Sequence, residues 1–522
     1  MDFYSFWNKR GDMQLNLDKD LASVQEMRDA VQKAKKAQEK FMTFSQEKID
    51  SIVEAVAHAA YNKSKELAQM AVEETGMGVA EHKVLKNEVG SMGVFESIKD
   101  EKTIGVLESD TKNKIQKVAY PFGVIAAIIP TTNPTSTAMN KSLISLKSGN
   151  GIVVSPHPRA KKCTVETLKI CSKAATEAGA PEGLIGWISE PSMEATTQLM
   201  HHKDIDLILS TGGSGLVKAA YSSGKPAYGV GPGNVPTYIE ETANIPEAVK
   251  MIVDSKTFDN GTICATEQAI VVDQSVKEAT IREFEKNGTY FLNAQEKKKI
   301  GNIISNGNGQ VNPDIVGKTA VKIAEMGGIS VPSDTRLLIA EEDQFGKNVP
   351  FSIEILGPVF GMFTAENKEH AKEISINLLN LGGRGHTYSI HSNDDKVIQE
   401  FGQSMPVSRV IVNTLSSIGA VGSTTNLDPS MTLGCGGYGG NISSDNISAR
   451  HLFNIKRIAY PTKDVEVPKP GTNANVISNT NNNLESIVSN VFNATQGEGN
   501  GQIDTNKIEI LVKQVLKEYQ NQ

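Results

Sequence analysis

Ile205-Asp206-Leu207-Ile208-Leu209-Ser210-Thr211-Gly212-Gly213-Ser214-Gly215-Leu216 is the stretch on which the fold turns. Ile205 to Leu209 is a short apolar run of strand length. Leu216 to Ser223 has helical spacing, so a glycine-rich turn joins a strand to a helix. Such a turn is either an ordinary tight connection or a place where backbone N–H groups approach a pyrophosphate at a helix N-terminus. It is not G-x-G-x-x-G, and by itself it leaves both readings open.

The same rhythm continues outward. Ile152 to Ser155 reads as a strand and Thr164 to Gly179 as a helix ending on glycine. A strand–turn–strand pattern occupies 103–130. Further upstream, from Ser23 to about Lys65, the pattern is helical, with Val24, Met27, Val31, Ala34 and Ala37 three or four residues apart. This alternation predicts an α/β protein, a parallel sheet with helices on both faces. The best apolar run, Val118 to Ile129, is interrupted by Pro121 and Gly123 and stops at Pro130. It falls short of the roughly 20 residues of a membrane span and predicts a buried strand instead.

The chain has 522 residues, 39% of them apolar, and a net charge of −7. That length suits two to four domains with a sizeable core. With no dominant basic stripe, a nucleic-acid partner is not expected. Four cysteines do not make a disulfide framework, and no His cluster accompanies them to suggest zinc, so a reducing cytosol is expected. The first twelve residues, four of them aromatic, read as a leader or an alternative start before Met13; no apolar core of signal-peptide length is present.

Beyond Pro461 the composition shifts. Nine Asn fall between Asn473 and Asn500, and Pro468 and Pro470 precede them. Residues 463–503 therefore predict a flexible linker, too polar to offset its ordering entropy. Ile508, Leu511, Val512, Val515, Leu516 and Tyr519 then recur with helical period, after Asp504 or Thr505 as N-cap. An amphipathic helix over 504–520 is marginal alone and needs a partner surface, on its own body or on another protein.

Cys264 lies in Phe258-Asp259-Asn260-Gly261-Thr262-Ile263-Cys264, a turn before an apolar strand. Turns carry catalytic groups, and a partly ionised thiol is a strong nucleophile. The alternative is a buried Cys serving as a small hydrophobe.

Five collinear segments between residues 20 and 461 resemble the aldehyde dehydrogenase superfamily. They are Ile129-Pro130-Thr131-Thr132-Asn133-Pro134, Lys147 to Gly151 running into Val153-Val154-Ser155-Pro156, Ser210 to Ser214, Cys264 itself, and Glu354-Ile355-Leu356-Gly357-Pro358-Val359. The resemblance implies a Rossmann-type cofactor domain over 13–230 and a catalytic domain over 231–440. A return to the cofactor domain follows over 441–462. Strands near 112–120 and 449–460 would bridge the subunits of a dimer or tetramer. It also implies Cys264 as nucleophile and the Asn133 amide with the Cys264 N–H as oxyanion donors. Thr131, Ser155, His157, Pro158, Thr211, Gly212, Gly213, Ser214, Gly231, Glu354 and Leu356 would form the NAD and coenzyme A site, with Glu354 on the nicotinamide ribose.

The departures matter as much. Hydrolytic members carry a general-base Glu just over thirty residues before the Cys; here Gly229 is taken to replace it. Without that base the thioester should persist until a thiol takes the acyl group. Ser155-Pro156-His157-Pro158-Arg159-Ala160-Lys161-Lys162 and Gly385-His386-Thr387 likewise resemble the CoA-acylating branch. His386 would be a proton carrier, or else a structural His. His157, Arg159 and Lys161 would touch cofactor phosphates or form a solvated basic face. Cys163, Cys171 and Cys435 read as structural, and Glu267 as a loop hydrogen-bonding group. With its tail, the chain is most similar to propionaldehyde dehydrogenases of bacterial microcompartments. That implies propanal, CoA and NAD+ as substrates, packaging by the tail helix against shell or cargo proteins, and a place inside a microcompartment of the bacterial cytoplasm. An acetaldehyde-acting relative is the next reading; fused acetaldehyde–alcohol dehydrogenases fit less well. A hydrolytic enzyme and a non-catalytic scaffold are the remaining alternatives.

Overall fold

The computed structural model describes residues 18–305, 307, 309–467 and the isolated positions 489, 506, 509, 510, 513 and 517. The leader expected at 1–12 lies outside the described residues. So do nearly all of the linker and most of the tail segment, of which Asn506, Glu509, Ile510, Lys513 and Lys517 are helical. Contacts group the chain into one unit up to Ser109 and over 116–458, and another of 110–115 with 459 onward.

The N-terminal helical stretch is made of two helices, α1 (Lys19–Phe41) and α2 (Gln46–Asn62). The break falls where Ser45 caps α2, its side chain accepting from the Lys48 N–H. Helices α3 (Ser64–Thr75), α4 (Ala80–Glu88) and α5 (Val94–Ile98) follow. The expected single strand over 118–129 is likewise divided. Strand β1 (Gly105–Asp110) neighbours β2 (Ile115–Pro121), and β3 begins a new sheet at Val124–Ile128. Gly123 makes the corner at φ 136°, and a Cβ there would sit 2.1 Å from the Asp206 carboxylate. Only glycine meets both conditions.

Beside β3 lie β4 (Gly151–Ser155), β5 (Ile185–Trp187), β6 (Leu207–Thr211) and β7 (Ala227–Val230). All pair parallel, in the order β5-β4-β3-β6-β7. Every residue of β3 and β4 is buried, as expected of parallel strands covered on both faces. Ile125 and Ala127 pack with α2, α6 (Pro134–Lys147) and α7 (Lys161–Glu177); Val124, Ala126 and Ile128 pack with α1 and α8 (Met193–His201). The chain reverses direction across the sheet between β3 and β6. A doubly wound sheet binds its ligand at that switch point, beyond the carboxyl ends of the strands. The turn of residues 210–215 stands there, leading into α9 (Ser214–Tyr221).

A second parallel sheet takes β8 (Val235–Ile239), β9 (Glu267–Asp273), β10 (Thr289–Phe291), β11 (Leu337–Glu341), β12 (Val359–Ala365), β13 (Gly385–His391) and β14 (Val407–Val412). Their order is β10-β11-β12-β9-β8-β13-β14. Helix α10 (Ile245–Thr257) and the Cys264 loop lead into β9. Strand β15 (Phe453–Ala459) returns to lie beside β2. Among the described residues no helix is long and apolar enough to cross a membrane, and no group of His, Cys, Asp or Glu could hold a metal ion.

Candidate active site

The carboxyl ends of β3 and β6 and the Cys264 loop open on one cavity of about 570 Å3. Thr131 and Asn133 line it from the segment after β3, and Thr211, Gly212 and Gly213 from the turn after β6. Gly231 enters after β7, with Cys264, Glu354 and Leu356 opposite and His157 on the rim. Of the fourteen residues that the resemblance assigns to catalysis or to the NAD and coenzyme A site, the structure thus brings ten together. Four lie apart from the lining. Ser155 is buried, its hydroxyl 2.7 Å from that of Thr196. Pro158 and Ser214 are exposed. His386 is buried behind Gly233, where a Cβ would lie 2.1 Å from the Cys264 carbonyl and 3.2 Å from the His386 ring.

One expectation is corrected. Gly229 does not face the cavity: a Cβ on it would lie 2.9 Å from Tyr221 and Val217 of α9. Along a strand successive side chains point to opposite faces. Its neighbour Val230 is the residue of this strand that lines the cavity with Cys264, so a side chain reaching the cavity from here would come from position 230 and not 229.

Burial, with the Glu354 charge, pushes the Cys264 thiol up to about 12, against the opposing pull of Arg409. The Arg409 guanidinium donates to the carbonyls of His386 (3.0 Å), Gly434 (2.6 Å) and Ser444 (3.0 Å). Burial and that same cation lower His386 to about 3, so its imidazole is neutral. The His386 Nδ1 pairs with Thr387 Oγ1 at 2.9 Å. Burial raises Glu354 to about 7, although it accepts the Gly233 N–H at 2.8 Å. Glu267 makes hydrogen bonds, as expected, taking Ser255 Oγ–H at 2.6 Å and the Ser416 N–H at 3.0 Å. Arg159 stands exposed on the rim, while Lys161 is paired with Glu190. Cys163, Cys171 and Cys435 are buried free thiols.

Four residues escaped the reading of the sequence as parts of the site: Thr262, which lines the cavity beside Cys264, and Lys83, Lys86 and Asp259 behind it. Lys83 and Lys86 are 2% and 3% exposed and both pair with the fully buried Asp259. Asp259 and Asn260 hold left-handed φ of 50° and 52°. Such strain is kept only where surroundings fix it, and it clusters at working sites. The one signal available was the Asp-Asn-Gly turn itself.

A model of the aldehyde dehydrogenase family matches residues 16–334. The bifunctional aldehyde-alcohol dehydrogenase of Escherichia coli (strain K12) is 48% identical over 444 residues, 84% of this chain and 50% of that enzyme. This chain therefore spans about half the length of the bifunctional relatives it matches. Among solved structures, an acetylating aldehyde dehydrogenase from Geobacillus thermoglucosidasius has a TM-score of 0.85 and 52% identity, over 87% of this chain and 99% of that one. A propionaldehyde dehydrogenase from the fucose utilisation microcompartment of Clostridium phytofermentans has a TM-score of 0.75 and 29% identity, over 83% and 97%. At these identities and coverages the likeness is one of descent as well as of shape, and the chain belongs to the aldehyde dehydrogenase family.

Proposed function

We propose that this chain is a CoA-acylating aldehyde dehydrogenase, converting a short aldehyde, coenzyme A and NAD+ to acyl-CoA and NADH. The observation that carries this is the cavity wall. Cys264 and Asn133 share it, and the single carboxylate among its described lining residues, Glu354, is tied to the Gly233 N–H, with Val230 where a water-activating base would have to stand. A thioester formed there has no general base to hydrolyse it and waits for a thiol.

A dinucleotide suits the residues present. A Cβ built on Gly213 or on Gly231 meets nothing within 4 Å, so the backbone beside the α9 N-terminus is open to a pyrophosphate. When bound, the nicotinamide supplies the hydride acceptor, and Glu354 would hold its ribose. The Cys264 thiolate attacks the aldehyde carbon, and the Asn133 amide and Cys264 N–H stabilise the oxyanion. Loss of hydride leaves the acyl group on Cys264. The CoA thiol attacks that carbonyl, the C–S bond to Cys264 breaks, and acyl-CoA departs. His386, read from the sequence as a proton carrier, stands neutral behind Gly233 and apart from the lining; it would take the proton only through the space beside the Cys264 loop and, held at about 3, only weakly.

The likeness to the acetylating Geobacillus enzyme favours acetaldehyde. Propanal, with packaging in a microcompartment by the tail, is the second reading. It draws on the apolar period of 508–519 and on the more distant C. phytofermentans structure. We further propose the domain division given above and a homo-oligomer bridged through the β1-β2-β15 sheet. The test is NADH formation from acetaldehyde and from propanal, with and without CoA. CoA-dependent NADH and acyl-CoA are expected; carboxylate released at equal rate without CoA overturns the reading.

A further inference from the structure

Asn133 holds the N-cap position of α6, yet its side chain caps nothing. Its Oδ1 accepts from Lys86 Nζ at 2.6 Å, and its Nδ2 reaches Thr132 Oγ1 at 3.2 Å and the Thr262 carbonyl at 3.3 Å. An ammonium carries three donors and no acceptor. Lys86 can therefore face only the oxygen of the amide. The NH2 is turned the other way, onto the loop that bears Cys264, where its two protons rest on Thr132 Oγ1 and the Thr262 carbonyl in contacts at the long end of the hydrogen-bond range, so that a bound oxyanion takes one of them by displacing its present acceptor.

The remaining protons of Lys86 go to the Asp259 carboxylate and to Thr262 Oγ1 at 2.9 Å. Three protons meet three acceptors, so none is left for a substrate. Asp259 is itself fixed by Lys83 Nζ at 2.8 Å, Thr262 Oγ–H at 2.6 Å and the Val79 N–H at 2.7 Å. Lys83 also donates to the Thr132 carbonyl at 2.9 Å. Two lysines one turn apart on α4 thus tie the segment that carries the amide to the loop that carries the thiol.

We propose that Lys86 is a positioning residue for the oxyanion donor: clamped by Asp259 and Thr262, it holds the Asn133 oxygen and so aims the Asn133 N–H at the bound carbonyl. This rests on the role of Asn133 in the proposed function. It differs from an ordinary buried ion pair in predicting that the effect of Lys86 on oxyanion formation depends on Asn133, whatever Lys86 adds to the stability of the loop.

The test is a double-mutant cycle on acylation of Cys264 by p-nitrophenyl acetate. The thiolate attacks the ester carbonyl, the C–O bond breaks and p-nitrophenolate leaves, with neither NAD nor CoA involved. Lys86→Met should slow this burst about 10²-fold, in the range of a lost oxyanion donor. In an Asn133→Ala background it should slow it less than about threefold, because coupled residues are not additive. Alkylation by iodoacetamide forms no oxyanion and should stay within about threefold of the wild-type rate, which a merely damaged site would not. Equal losses in both backgrounds, an unchanged burst, or alkylation slowed in parallel each overturn the proposal. Should Lys86→Met not fold, Asn133→Asp serves instead. Its carboxylate pairs with Lys86 and sets an oxygen where the N–H stood, so its burst should fall below that of Asn133→Ala; a faster one overturns the proposal. No arm contains CoA, so a wild type without CoA-dependent turnover would overturn the proposed function while leaving this cycle readable.

Discussion

Cys264 is a protonated thiol in the resting cavity, because burial and the facing Glu354 carboxylate both disfavour the thiolate. Its reactivity should then track the small ionised fraction. Alkylation by iodoacetamide is expected to rise about tenfold per pH unit from pH 7 to 10 with no plateau; levelling off below pH 9 would mean that a stronger cation holds the thiolate. A Glu354→Gln variant removes the charge that raises the thiol and should shift this profile toward lower pH. The neighbouring question, why a thioester would survive here, comes down to which of two adjacent residues faces it. Val230→Glu should place a carboxylate in the cavity, where partial burial brings its pKa toward neutrality, the range suited to a general base. Release of acetate without CoA is expected to increase in that variant. Gly229→Glu should instead collide with Tyr221 and Val217, lowering the melting temperature without adding hydrolysis. The reverse result would return the missing base to Gly229.

The loop of 258–264 and helix α4 form one device, and its cost and support are both visible. Two left-handed residues cost on the order of 1–3 kcal/mol each, and the Lys83–Asp259–Lys86 cluster keeps them there. Burial alone would raise the Asp259 carboxyl, but Lys86 and Lys83 hold it at about 2. An unfolded Asp titrates near 3.9. A depressed folded value means stability that is complete above about pH 4 and is lost as pH falls toward 2, on the order of 2 kcal/mol. Urea midpoints at pH 5 and pH 3 should therefore separate more for the wild type than for Asp259→Asn; equal separations would mean that Asp259 is not held by the lysines. None of this was legible in Lys83-Val84-Leu85-Lys86, which on a helix reads as a solvated face until a distant loop folds onto it. By contrast the strand–glycine–helix rhythm was legible, because parallel strands and their turns are written in local composition. Cys264, the nucleophile we propose, was singled out through its turn, and the long apolar run misled because its corner depends on Asp206, more than eighty residues away.

At the scale of the whole chain, the described body carries the residues on which the proposed chemistry rests: the cavity, the thiol, the amide and the open glycine turn all precede residue 460. The residues after 462 differ from it in kind, first Asn-rich and then periodically apolar. Removing 463–522 should accordingly leave kcat and KM for aldehyde within about twofold, since no lining residue of the cavity is lost. If the tail is an address, residues 500–522 fused to a fluorescent protein should become punctate in cells that assemble shells, and the truncated enzyme should stay diffuse. Leu511, Val515 and Leu516 lie centrally on the apolar stripe read from the sequence. Burying one such side chain is worth about 1.5–3 kcal/mol, so Leu511→Asp should weaken docking by one to two orders of magnitude, about 1.4 kcal/mol per decade. Alternatively the stripe docks on the enzyme's own body; truncation would then lower the melting temperature, and the fusion would stay diffuse. A fall in kcat on truncation with the fusion still punctate would give the tail both tasks and would count against a body that is catalytically sufficient.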